Sequence, residues 1–193
     1  MSKKALISRR EFISILASLP AVYPLSSLAK NQTSYIISSP SIKEPWRTLS
    51  EVQQHLFPQE KDAISAKDIQ ALEYLQATMN TPDFDNDERK RIHQGVEWLN
   101  DLSKQQFSKT FIQLDDDLKE KILRRIEGSG AGERWLSTLL TYLLEALLTD
   151  PVYGGNPNGV GWKWLQHQPG FPRPPESKKY FKLDPKRYRN TKA

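Results

Sequence analysis

From residue 46 onward, apolar residues recur at three- and four-residue spacing between polar and proline-bearing breaks, and that spacing predicts helices. Thr48-Leu49-Ser50-Glu51 reads as a capping box. Leu49, Val52, Leu56 and Phe57 follow on one face, and Pro58 ends a first helix over about 49–57. Ser65 and Asp68 repeat the device, and Ile69, Leu72, Leu75 and Met79 carry the stripe of a second helix directly after it. Asp83 to Asp87 opens a third, with Ile92, Val96, Leu99 and Leu102 inward and Trp98 beside them.

The carboxylates of Asp115, Asp116 and Asp117 suit the positive end of a fourth helix dipole, which buries Leu118, Ile122, Leu123 and Ile126 before Gly128. A fifth helix, over about 133–149, carries Trp135, Leu136, Leu139, Leu140, Leu143, Leu144, Leu147 and Leu148. Its apolar surface wraps so widely that it is expected to be the central helix. No stretch alternates convincingly as a strand. The fold class expected is all-α: a bundle of about five helices over 46–149, followed by an irregular Gly/Pro/aromatic-rich C-terminal tail.

The N-terminus does not belong to that pattern. Arg9 and Arg10, then Phe12 and Ile13, lead into a moderately apolar run broken by Pro20 and Pro24, which matches a twin-arginine export signal. Ser27-Leu28-Ala29 offers small residues for a peptidase, with cleavage expected after Ala29. The expected organisation is a signal peptide over 1–29, a linker or arm over 30–45, the bundle over 46–149, a distinct segment over 150–175 and a basic tail over 176–193. The other apolar run, Trp135 to Leu148, is 14 residues long and contains Glu145, so it reads as a core helix and not a membrane span.

Charge changes the picture once it is divided along the chain. The net +5 comes from the two ends: residues 1–30 carry five basic and one acidic side chain, and residues 170–193 carry eight and two. Residues 31–169 hold 15 basic against 20 acidic. An acidic body argues against nucleic-acid binding.

Candidate chemistry in the bundle is sparse. With no cysteine there is no disulfide, thiolate metal site, iron–sulfur cluster or Cys-x-x-Cys-His haem attachment. His55, His93 and His167 lie in separate segments. Asp83-Phe84-Asp85-Asn86-Asp87 starts like a calcium loop but has Glu88 where the turn needs glycine and Gln94 where a bidentate Glu belongs. Gly128-Ser129-Gly130-Ala131-Gly132 has the glycine density of a dinucleotide loop but follows a helix, not a strand. Neither catalytic, cofactor-binding nor metal residues are assigned to this chain.

The segment DPVYGGNPNGVGWKW, residues 150–164, is where the sequence becomes specific. It opens a tail with many rings but few aliphatic residues for a core of its own. Either the tail lies along its own bundle or another protein orders it. Tyr153, Trp162 and Trp164 are the expected anchors, with Gly154 and Gly155 allowing positive φ or close approach and Asn156 tying the turn. A free-standing periplasmic binding or scaffold protein, stacking a sugar-like ligand on this aromatic loop, is the alternative. A self-sufficient oxidoreductase is a third reading.

Leu56-Phe57-Pro58, the Leu-rich helix running into Asp150-Pro151-Val152-Tyr153-Gly154-Gly155-Asn156, then Gly161-Trp162 and the Pro-Gly-Phe-Pro-Arg-Pro around Phe171, resemble the small third subunit of bacterial gluconate 2-dehydrogenases and related flavin-dependent sugar dehydrogenases. The likeness covers about residues 46–175. It departs at Lys163 to Gln168 and at Arg173, where the family usually reaches Gly-Phe-Pro-Gly-Pro by a short apolar step.

The resemblance implies a helical, non-catalytic subunit beside a large FAD-dependent flavoprotein of the glucose-methanol-choline type, often with a multi-haem cytochrome c carrying haem c as a further subunit. Export by the twin-arginine translocase, from Arg9, Arg10 and Phe12, would place the complex in the periplasm at the inner membrane. The partner-docking residues expected are Asp150, Pro151, Tyr153, Gly154, Gly155, Asn156, Gly161, Trp162, Trp164 and Phe171.

Overall fold

The computed structural model describes residues 42–170, 173–179 and 182. The expected export-signal residues Arg9, Arg10 and Phe12, most of the expected arm, Phe171 and most of the basic tail lie outside them. Six α-helices and no strand occur among the described residues, which makes the fold all-α. They are α1 (Trp46–Leu56), α2 (Ala71–Met79), α3 (Asn86–Phe107), α4 (Asp116–Glu127), α5 (Gly130–Leu148) and α6 (Val160–Trp164). No helix among the described residues is long and apolar enough to cross a membrane.

The apolar spacing explains the packing. α5 touches α1, α2, α3, α4 and α6, the central place that its wide apolar surface predicts. Leu139 and Ala146 are fully buried on it, beside Trp135, Leu136, Leu143 and Leu147. The Trp135 indole N–H donates to the Ile92 carbonyl at 3.0 Å, so a large ring enters the core with its polar atom satisfied. α1 adds Leu49 and Val52, α2 adds Leu72, Leu75 and Met79, and α4 adds Ile122, Leu123 and Ile126.

Several helix starts differ from the sequence expectation. Thr48 is no cap: α1 begins at Trp46, and Thr48 lies buried inside it, its hydroxyl accepting from Asn100 Nδ2 at 3.3 Å. The capping pattern fails there because Pro45 takes the N-cap position, so the helix starts about one turn earlier. Ser65 and Asp68 do bond reciprocally, with the Asp68 carboxylate accepting from Ser65 N at 2.8 Å and Oγ at 2.7 Å. They close a separate turn instead of starting α2, because Gln70 at φ 53° breaks the helical path before Ala71. α5 starts at Gly130, capped by Ser129 Oγ, which accepts from Gly132 N at 3.0 Å. Asp85 and Asp115 cap α3 and α4 as their positions suggest.

The tail is less irregular than expected. It contains α6 and short turns at Pro151–Tyr153, Pro157–Gly159 and Glu176–Lys178.

Candidate functional site

Asn156 sits at the junction of three elements and is fully buried. Its backbone N–H donates to the Ile69 carbonyl at 2.9 Å, just ahead of α2. Its side-chain Nδ2 donates to the Thr149 carbonyl at 3.0 Å, at the end of α5, and its Oδ1 accepts from Gly161 N at 2.6 Å, at the start of α6. The left-handed φ of 50° at this residue is what lets one side chain reach both neighbours, and asparagine tolerates it better than most. Orphan carbonyls at the end of α5 are thereby satisfied.

The neighbouring residues complete the junction. Asp150 caps the turn that Pro151 begins, accepting from Val152 N at 3.0 Å. Gly154 takes φ 98°, which a side chain would strain. Gly155 is buried beside it. α6 lies so close to α5 that a Cβ on Gly161 would collide with the Leu147 carbonyl. Trp162 is 7% exposed and its indole N–H donates to the Leu148 carbonyl at 2.7 Å. Trp164 is half-buried, its ring centroid 5.9 Å from that of Phe57.

Residues 150–165 therefore lie along their own bundle. Gly155, Asn156, Gly161 and Trp162 are buried in intramolecular packing, where they hold the end of α5 in place. Sugar stacking requires open ring faces, and Trp162 instead has the Arg173 guanidinium 5.3 Å from its ring centroid.

What that junction positions is a charge-poor face of α5. From Ser137 to Leu148, Glu145 is the single charged residue, and its carboxylate accepts from Tyr74 OH at 3.1 Å. Leu144 and Leu148, one helical turn apart, are 38% and 49% exposed. They line a cleft of about 390 Å³ with Tyr74, Thr141, Glu145 and Thr149. A second cleft, of about 300 Å³, continues from Tyr74 and Thr149 to Ala77, Thr78, Thr81, Tyr153 and Lys179. Of the sequence-predicted residues among those described, Tyr153 alone lines either cleft. Tyr74, Leu144 and Leu148 on this face were not among the predicted docking residues, and their signal is faint, because an outward leucine on a leucine-rich helix looks like every inward one.

Electrostatics fix the edge of the site. Arg173 donates to Asp150 through Nε at 2.7 Å and Nη2 at 3.1 Å, and this holds the Asp150 carboxyl below the usual carboxylate range. Elsewhere on α5, burial and the hydrogen bond to Glu88 push the Tyr142 hydroxyl well above its ordinary value.

Other candidate chemistry finds structural uses. The loop from Gly128 to Gly132 joins two helices and caps the second, which does not fit a dinucleotide. Among the described residues no group of three or more His, Asp or Glu side chains could hold a metal. His55 pairs with Glu120 at 2.8 Å, while the His93 ring meets Trp46 edge to face. A larger cleft of about 680 Å³ between α3 and the first turns of α5 is walled by Trp98, Ile92 and Trp135, with Glu88, Arg91, Glu133 and Arg134 among its polar lining.

Residues 43–170 match the family described as gluconate 2-dehydrogenase subunit 3. No curated protein and no solved structure matches the chain.

Proposed function

The chain belongs to the gluconate 2-dehydrogenase subunit 3 family, and from that premise we propose that it is the non-catalytic small subunit of a periplasmic, membrane-associated, FAD-dependent gluconate or sugar dehydrogenase. Membership in a family named for a third subunit implies partner subunits. The partner proposed is the large flavoprotein, which carries FAD, with haem c in a cytochrome where one is present. In this reading the small subunit binds and stabilises the flavoprotein, and residues 1–29 supply the twin-arginine export address for both.

The observation that carries the reading is the face formed by Leu144, Leu148, Tyr74 and Tyr153. Interfaces between proteins are depleted of charge at their centre and enriched in apolar and aromatic side chains, which describes this face. Export of a folded passenger gives a reason for a twin-arginine signal on a chain to which no cofactor site is assigned.

The test is co-purification of the large subunit with the Leu144→Glu/Leu148→Glu double variant. Recovery should fall by about tenfold or more, as expected for placing charge at the centre of an apolar contact. Undiminished recovery from a normally folded variant would move the docking site elsewhere.

A further inference from the structure

Beyond the family match, which ends at residue 170, the described chain continues as Arg173–Lys179 and Lys182. It is tied down at its start and reaches the second cleft at its far end. At one end, Arg173 grips Asp150 through two hydrogen bonds and lies over the Trp162 ring. At the other, Lys179 lines the cleft that also contains Tyr74, Thr149 and Tyr153. Glu176, inside the turn Glu176–Lys178, pairs with Lys179 at 2.8 Å and with Lys182 at 3.1 Å.

This short run carries four cations, Arg173, Lys178, Lys179 and Lys182, against the one carboxylate of Glu176. It borders the face where α5 is nearly without charge, since Tyr74 and Thr149 belong to both clefts. The arrangement is an apolar centre with a cationic edge on an otherwise acidic body.

We propose that Arg173, Lys178, Lys179 and Lys182 form a clasped basic strap, and that it selects an apolar ridge flanked by carboxylates on the large flavoprotein subunit. The inference rests on the docking reading above and adds the chemistry of the partner's surface. Arg173 is a positioning residue: its own charge is matched by Asp150, and its effect is to fix where the lysines lie. Opposite charges around an apolar contact raise the association rate and specify the partner, and they do so less as salt screens them.

The experiment measures association of the full-length chain with the large subunit from low to high sodium chloride, for wild type, Lys178→Glu/Lys182→Glu, Arg173→Gln and Leu144→Glu/Leu148→Glu. Wild-type affinity should fall as salt rises. The lysine reversal should weaken binding by about tenfold at low salt and flatten the salt dependence, with little loss at high salt. Arg173→Gln should flatten it partly, and Arg173→Lys, which keeps a charge but not the paired geometry, should fall between Arg173→Gln and wild type.

If the lysine reversal leaves affinity and salt dependence unchanged while the leucine variant fails to bind, the strap proposal is overturned and docking through α5 stands. If the leucine variant also binds normally, the docking reading itself is lost. Should the reversal spare the complex but abolish sedimentation with phosphatidylglycerol vesicles, the strap faces lipid and the proposal is likewise overturned.

Discussion

Asn156 is the residue on which the site's geometry turns. Asn156→Ala removes the partners of the Thr149 carbonyl and the Gly161 N–H, both at a buried junction. The expected cost is about 3 kcal/mol of stability, read from denaturant unfolding, because each lost buried hydrogen bond costs about 1 kcal/mol and the abandoned groups add desolvation. Asn156→Asp should recover little of it, since a carboxylate cannot donate to Thr149 and would be charged where the residue is fully buried.

Asp150 gives the residue scale a pH signature. Its carboxyl titrates below the ordinary range because Arg173 hydrogen-bonds to it, with help from Val152 N–H. A depressed folded-state value means that the clasp contributes fully above the unfolded-state pKa, about 3.9 for an aspartate, and is lost as pH falls through the lower folded value. The Arg173 Nε–H resonance in NMR should stay protected through neutral and mildly acidic pH and disappear only below that range. Asp150→Asn should remove the acid transition and weaken the protection at every pH.

At the scale of the element, the end of α5 is the part that carries both stability and surface. Gly161→Ala is expected to lower the thermal midpoint, because a Cβ there meets the Leu147 carbonyl and α6 must lift from α5. Association should weaken with it, since the same contact holds the Leu148 turn. Leu144→Glu and Leu148→Glu should change association more than the thermal midpoint, because both side chains are already partly open to water when the chain is alone.

The legibility of the fold follows the same division. Helices were readable wherever burial is one-sided and periodic, as in α5, where Trp135, Leu136, Leu139, Leu143 and Leu147 recur along the buried face. Their starts were less readable at Thr48 and Ser65, where an acceptable capping sequence lies near a helix but backbone geometry at Pro45 and Gln70 decides the boundary. The core positions of Phe111 and Leu114 were missed, since they sit in the α3–α4 connection and have no helical period. At the candidate site, Gly154, Asn156 and Trp162 stood out through composition, but composition does not say whether a ring faces a partner or the chain's own helix. Only tertiary placement separates buried Leu147 from exposed Leu148.

For the whole molecule, charge distribution and export belong together. An acidic body with basic ends keeps the cations where the proposed export signal and the proposed strap lie. Arg9→Lys with Arg10→Lys should leave both subunits in the cytoplasm, detected by fractionation and by loss of dehydrogenase activity from the periplasm. Retention of this subunit alone, with the flavoprotein still exported, would mean that the signal serves only its own chain.

The most direct measurement is a structure of the purified complex with the large subunit. Leu144 and Leu148 should be buried against the flavoprotein, with Ser137 and Thr141 along the same contact and the lysines of the strap at its edge. A large subunit seated on another face, with both leucines still open to water, would contradict the account.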